Sequence, residues 1–62
     1  MPIQLILATA ALLGLDRLDA QLLLLHALGK PVSDRAWLLA HDRDALPDAV
    51  DAAFMALAQR RL

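Results

Sequence analysis

The chain has 62 residues, 60% of them hydrophobic, with six Lys or Arg against seven acidic residues, a net charge of −1 and no cysteine. That length holds one small domain, residues 1–62, and the missing cysteines exclude disulfides and thiolate metal sites and suit a reducing compartment, the cytoplasm. Charges of both signs are distributed along the sequence, and only Arg60-Arg61 sets two cations side by side; without a phosphate-neutralising face, nucleic acid is excluded as a direct partner.

Leu and Ala supply most of the apolar mass, while the β-branched and aromatic residues that favour strands are few. These are strong helix formers, so the fold class is all-α, a small bundle of four helices or five. Pro2 suits the first turn of a helix, where its missing N–H costs nothing. This first helix runs to about Leu13, and Gly14 can take the left-handed conformation that ends it. From Ile3 to Leu15 the apolar stretch rises only about 20 Å as a helix, short of the ~30 Å hydrocarbon core. No Lys or Arg precedes it, as a signal peptide would require. A membrane role is excluded, and a helix buried in the domain or facing a partner is expected.

Asp16 reads as the next N-cap, with Asp19 adding negative charge to the first turn, and Gly29 is the natural stop for a second helix ending at Leu28. Lys30-Pro31-Val32 breaks the chain. Ser33 is expected to cap a short third helix over Asp34–Ala40, His41 to Leu46 to form a loop, and Pro47 to open a fourth helix reaching about Arg61.

Projection at 100° per residue ranks these helices by burial. In the second, Leu22, Leu23, Leu24, Leu25 and Leu28 point in nearly every direction, and only Asp19 and His26 interrupt them. It is expected to be the central, surrounded post, with Gln21 exposed. The fourth carries one apolar stripe, Val50, Ala53, Phe54, Leu57 and Ala58. The first is apolar all round through Ile3, Leu5, Ile6, Leu7, Leu12 and Leu13, more than a domain this small can enclose. Leu5 and Leu12 are therefore expected at a contact with a neighbouring domain, a partner or a second copy of the chain.

The residue types of catalysis are scattered. His26 and His41 lie fifteen positions apart, too few and too far for a compact metal set, and His26 is expected to be hydrogen-bonded at the edge of its helix. Of the seven aspartates, Asp16, Asp19, Asp34 and Asp48 sit at or near helix starts, which accounts for them electrostatically. Gly14 and Gly29 build no phosphate-binding loop. Ser33 is the only serine and has no histidine held beside it, and Trp37 on a Leu-rich helix reads as core. The segment Ser33–Ala40 offers Arg35 but few side chains to read base edges, against a helix–turn–helix. Arg60 and Arg61 complete the last helix at the pole where cations are favoured. Arg61 projects beside the apolar stripe, with its stem expected along the core edge and its guanidinium past the helix end.

Taken in order, Asp19-Ala20, Leu22-Leu23, His26, Leu28-Gly29, Arg35-Ala36-Trp37-Leu38-Leu39, Phe54, Leu57 and Arg60-Arg61 form a spaced pattern over about residues 16 to 62. In it the chain resembles the N-terminal helical domain of the HemK/PrmC family, bacterial methyltransferases that modify a glutamine of peptide-chain release factors. The resemblance implies a larger enzyme whose Rossmann-like catalytic domain binds S-adenosylmethionine and carries an Asn-Pro-Pro-Tyr motif. None of those residues occurs here, so no catalytic, cofactor or metal residue is carried over. In the family the arginine pair precedes a Gly-Glu-Pro turn into the catalytic domain. Leu62 follows it here, so the end of the chain is expected to coincide with a domain boundary.

What carries over is a role. The resemblance implies a substrate-recognition domain, inactive by itself, whose partners are the release factor and the absent catalytic domain. Leu5, Leu12, Arg60 and Arg61 are the candidate contacts. The alternative is a free-standing helical module for protein–protein interaction or for self-association through the first helix.

Overall fold

A computed structural model describes residues 1–62. Four helices follow one another, α1 (Ile3–Leu12), α2 (Arg17–Leu28), α3 (Arg35–Ala40) and α4 (Asp48–Arg61), with a 3₁₀ turn at Val32–Asp34 leading into α3. The only extended pairing is an isolated antiparallel bridge between Pro2 and Ala45. No helix is long and apolar enough to cross a membrane.

The two glycines end their helices as expected. Gly14 has φ +100° and Gly29 φ +72°, and both helix ends close alike. Leu15 N–H donates to the Ala10 carbonyl and Gly14 N–H to that of Ala11, while Lys30 N–H reaches Leu25 and Gly29 N–H reaches His26. These six-to-one and five-to-two bonds satisfy carbonyls that a helix end otherwise leaves free. The first pattern also turns Leu15 inward, where it is buried. Asp16 caps α2, its carboxylate accepting from Leu18 N–H at 3.1 Å.

Ser33 is not a cap. Asp34 N–H donates to the Pro31 carbonyl, so Pro31 heads a 3₁₀ turn and Ser33 lies inside it, exposed. The α-helix itself begins at Arg35, without a side-chain cap. Pro2 and Pro47 stand just outside α1 and α4, in extended conformation at the capping position.

With Pro2 there, α1 has no side-chain cap, and its free N–H groups are served from a distance. Ile3 N–H donates to the Asp44 carbonyl at 3.0 Å and Gln4 N–H to that of Asp42 at 2.7 Å. In return Leu46 N–H donates to the Met1 carbonyl, and the Met1 ammonium pairs with Asp51 of α4 at 3.0 Å. The 42–46 loop is thus a backbone clamp on the start of α1.

The core joins Ile3, Ile6 and Ala10 of α1, Leu15 of the α1–α2 turn, Ala20, Leu24 and Leu25 of α2, Leu38 of α3, Leu46, and Phe54 and Ala58 of α4. As expected α2 is central, packing on α1, α3, α4 and the 3₁₀ turn. It is not enclosed, however. Leu18 and His26 are exposed and Leu22, Leu23 and Leu28 half-buried, because so short a chain has too little mass to wrap a helix completely. Gln21, expected outside, is buried at 8% exposure, and Ala53, expected in the α4 stripe, is exposed.

Candidate functional site

Two hollows of the surface are built on α2. The first, about 370 Å³, lies between α2 and α4 and is lined by Asp19, Leu22, Leu23, His26, Leu57 and Arg61. The three leucines are half-buried and form an apolar floor, with the exposed His26 and Arg61 at the rim. Arg61 does not reach past the end of α4. Its guanidinium turns back onto α2 and donates to the Asp19 carboxylate at 3.1 Å. Asp19 occupies the first turn of α2 and Arg61 the last turn of α4, so each charge also sits at the favourable pole of its own helix. The pair stays wet, at 57% and 34% side-chain exposure, and contributes at most about 1 kcal/mol. Arg60 beside it is exposed. All six lining residues belong to the spaced pattern that carries the family resemblance.

The second hollow, about 360 Å³, runs between α1, α2 and α3. Gln4, Leu7, Ala8 and Ala11 form one wall, Arg17, Ala20 and Gln21 the next, and Leu38, Leu39 and Asp42 the third. Its position explains Gln21, which is covered by the walls of a groove rather than by the core. Leu5 and Leu12, the contacts expected from the sequence, are 51% and 89% exposed. On the helical wheel they form a ridge along the outer edge of this groove, next to Ala8.

Trp37 is half-buried against the core, and what distinguishes it lies on its faces. His41 stacks on the indole with centroids 4.3 Å apart and planes 18° from parallel, and the Lys30 ammonium lies 4.2 Å from the ring centre. His41 Nδ1 is 2.9 Å from the Trp37 carbonyl; a carbonyl only accepts, so this nitrogen carries the hydrogen. The hydrogen bond expected of His26 is thus made by His41, while His26 stands exposed. Trp37 and His41 are four residues apart, the spacing that brings helical neighbours together, and that was the available signal. Nothing in the sequence announced Lys30.

These arrangements present surfaces for binding. Ser33 is exposed in its turn, and no group of three or more His, Cys, Asp or Glu side chains converges anywhere.

The family model described as the PrmC N-terminal domain matches residues 4–62. A release factor glutamine methyltransferase of Bordetella pertussis is 53% identical over 49 residues, covering 79% of this chain and 17% of that protein. One from Xylella fastidiosa is 44% identical over 61 residues, covering 98% of this chain and 21% of the other. The chain thus spans about a fifth of the length of the curated relatives it matches. No solved structure matches it.

Proposed function

The chain belongs to the PrmC N-terminal domain family, and on that premise we propose that it is the release-factor-recognition part of a protein-(glutamine-N5) methyltransferase, inactive by itself. The observation that supports this most is the α2–α4 hollow, whose six lining residues all belong to the pattern that carries the resemblance. None of the six belongs to the buried core. These stand at its margin, with an apolar floor for an aliphatic side chain of the partner and a polar rim of Asp19, His26 and Arg61 to fix its orientation. Arg60, exposed beside Arg61, is the residue offered to the catalytic domain with which this domain would make its second contact.

Methyl transfer from S-adenosylmethionine belongs, in this reading, to that catalytic domain. The role of the helical domain is to hold the substrate protein remotely. Binding energy gained far from the reacting amide is spent on orienting it, which turns an encounter between two large proteins into a step with one geometry.

The test is a titration of the isotope-labelled chain with a bacterial release factor, followed by its amide spectrum. Shifts are expected around Leu22, His26 and Leu57, and His26→Ala and Arg61→Ala, both at exposed positions, should weaken them without unfolding the chain. With S-adenosylmethionine added, no methylated glutamine should form. An unperturbed spectrum at saturating release factor, or methyl transfer by the chain alone, would overturn the proposal.

A further inference from the structure

We propose that the α1–α2–α3 groove is the contact of a two-fold symmetric dimer of this chain, independently of how the release factor is held. The face is complementary to itself in two respects. It sets a hole beside a knob: Ala8 and Ala11 keep the groove wall low, and next to it rise Leu5 and Leu12, the latter 89% exposed. A two-fold rotation inserts the ridge of each copy into the groove of the other, the ridge-into-groove packing by which helices meet.

The second complementarity is charge. The groove is lined by one cation, Arg17, and one anion, Asp42, and neither belongs to the two ion pairs of the chain, Met1–Asp51 and Arg61–Asp19. They stand on different walls. An isologous contact brings Arg17 of each copy towards Asp42 of the other, so both charges are answered twice by one operation. A foreign partner would have to supply both signs at the right separation, whereas a second copy carries them already.

The expected strength follows from area. A standard interface takes about 800 Å² from each partner, roughly a fifth of the 3967 Å² surface of this chain. One face of the ten-residue α1, about 15 Å long, supplies less, so the dimer is weak and dissociates in the high micromolar range.

Sedimentation equilibrium of the chain tests this, with helical content checked by circular dichroism. Concentration-dependent dimerisation is expected. Leu12→Glu, at a solvent-facing position, should weaken it about tenfold or more, and so should Arg17→Asp and Asp42→Arg singly, since each sets like charges opposite one another twice. An equimolar mixture of the two charge-reversed variants should regain association close to wild type, because across the two-fold axis each supplies what the other lacks. A monomer at millimolar concentration would refute the dimer. Charge reversals without effect, or a mixture no stronger than its components, would refute this face. A release factor that shifts the Leu5, Leu12 and Leu39 amides of the monomer would assign the groove to that protein instead.

Discussion

Leu24 gives the sharpest test of how this small core is organised. It is fully buried, and it lies on the helix that packs against every other element. Leu24→Ala removes three carbon groups, which at about 0.8 kcal/mol each lose about 2.4 kcal/mol of transfer free energy. The cavity left in a close-packed interior brings the total into the ~2–5 kcal/mol range. A chain of 62 residues, at about 0.05–0.15 kcal/mol per residue, holds only about 3–9 kcal/mol altogether, so this one truncation removes roughly a quarter of the stability or more. Domains this small lose roughly 4–8 °C per kcal/mol, and the midpoint should fall by roughly 10–40 °C. Leu23→Ala, at a half-buried position, should cost less, and Leu12→Ala should stay within about 0.5 kcal/mol of wild type. Thermal melts followed by circular dichroism below the dimerisation range, with urea unfolding read from Trp37, the only tryptophan, measure all three. Equal midpoints for Leu24→Ala and Leu12→Ala would refute the core assignment.

Two further outcomes follow from local geometry. Gly29 at φ +72° has open space around the missing Cβ, so Gly29→Ala should cost only the left-handed conformational penalty, about 1–2 kcal/mol, with Gly29→Asn milder; chemical denaturation would show whether a larger, steric loss contradicts this. The Asp19–Arg61 pair, exposed as it is, should give a coupling of under about 1 kcal/mol in an Asp19→Asn/Arg61→Ala double-mutant cycle, shrinking further in salt. A coupling of several kcal/mol would mean that the pair is desolvated in solution.

Gly14, Gly29, Asp16, Pro2 and Pro47 punctuate the chain through their own backbone preferences and nearest neighbours, which is why the helix ends were legible in the sequence to within a residue or two. Ser33 misled because capping competes with a turn that Pro31 had already begun. Gln21 misled because a helical wheel counts neighbours on the same helix and cannot see the walls that α1 and α3 raise around it. Arg61 was correctly placed at the pole of its helix. Its partner, Asp19, lies 42 positions away, and no periodicity selects that pairing. The candidate surfaces were half legible. Leu5 and Leu12 stood out as surplus apolar residues, but the groove beside them exists only once three helices have met. The pattern over Asp19, Leu22, Leu23, His26, Leu57 and Arg61 was visible as a resemblance, and its convergence on one hollow emerged from the packing of α4 across α2.

The clamp on α1 has a consequence for the order in which the molecule can be made. Ile3 and Gln4 need the carbonyls of Asp44 and Asp42, and the Met1 ammonium waits for Asp51, yet a ribosome delivers α1 first. At about 5–20 residues per second, the forty or so residues between these partners take roughly 2–8 s to appear. Through that interval the most apolar helix of the chain is a nascent segment without its anchor. Closure of the domain is therefore a late, post-emergence event, and substitutions that loosen the 42–46 loop should act first on the yield of folded chain in the cell.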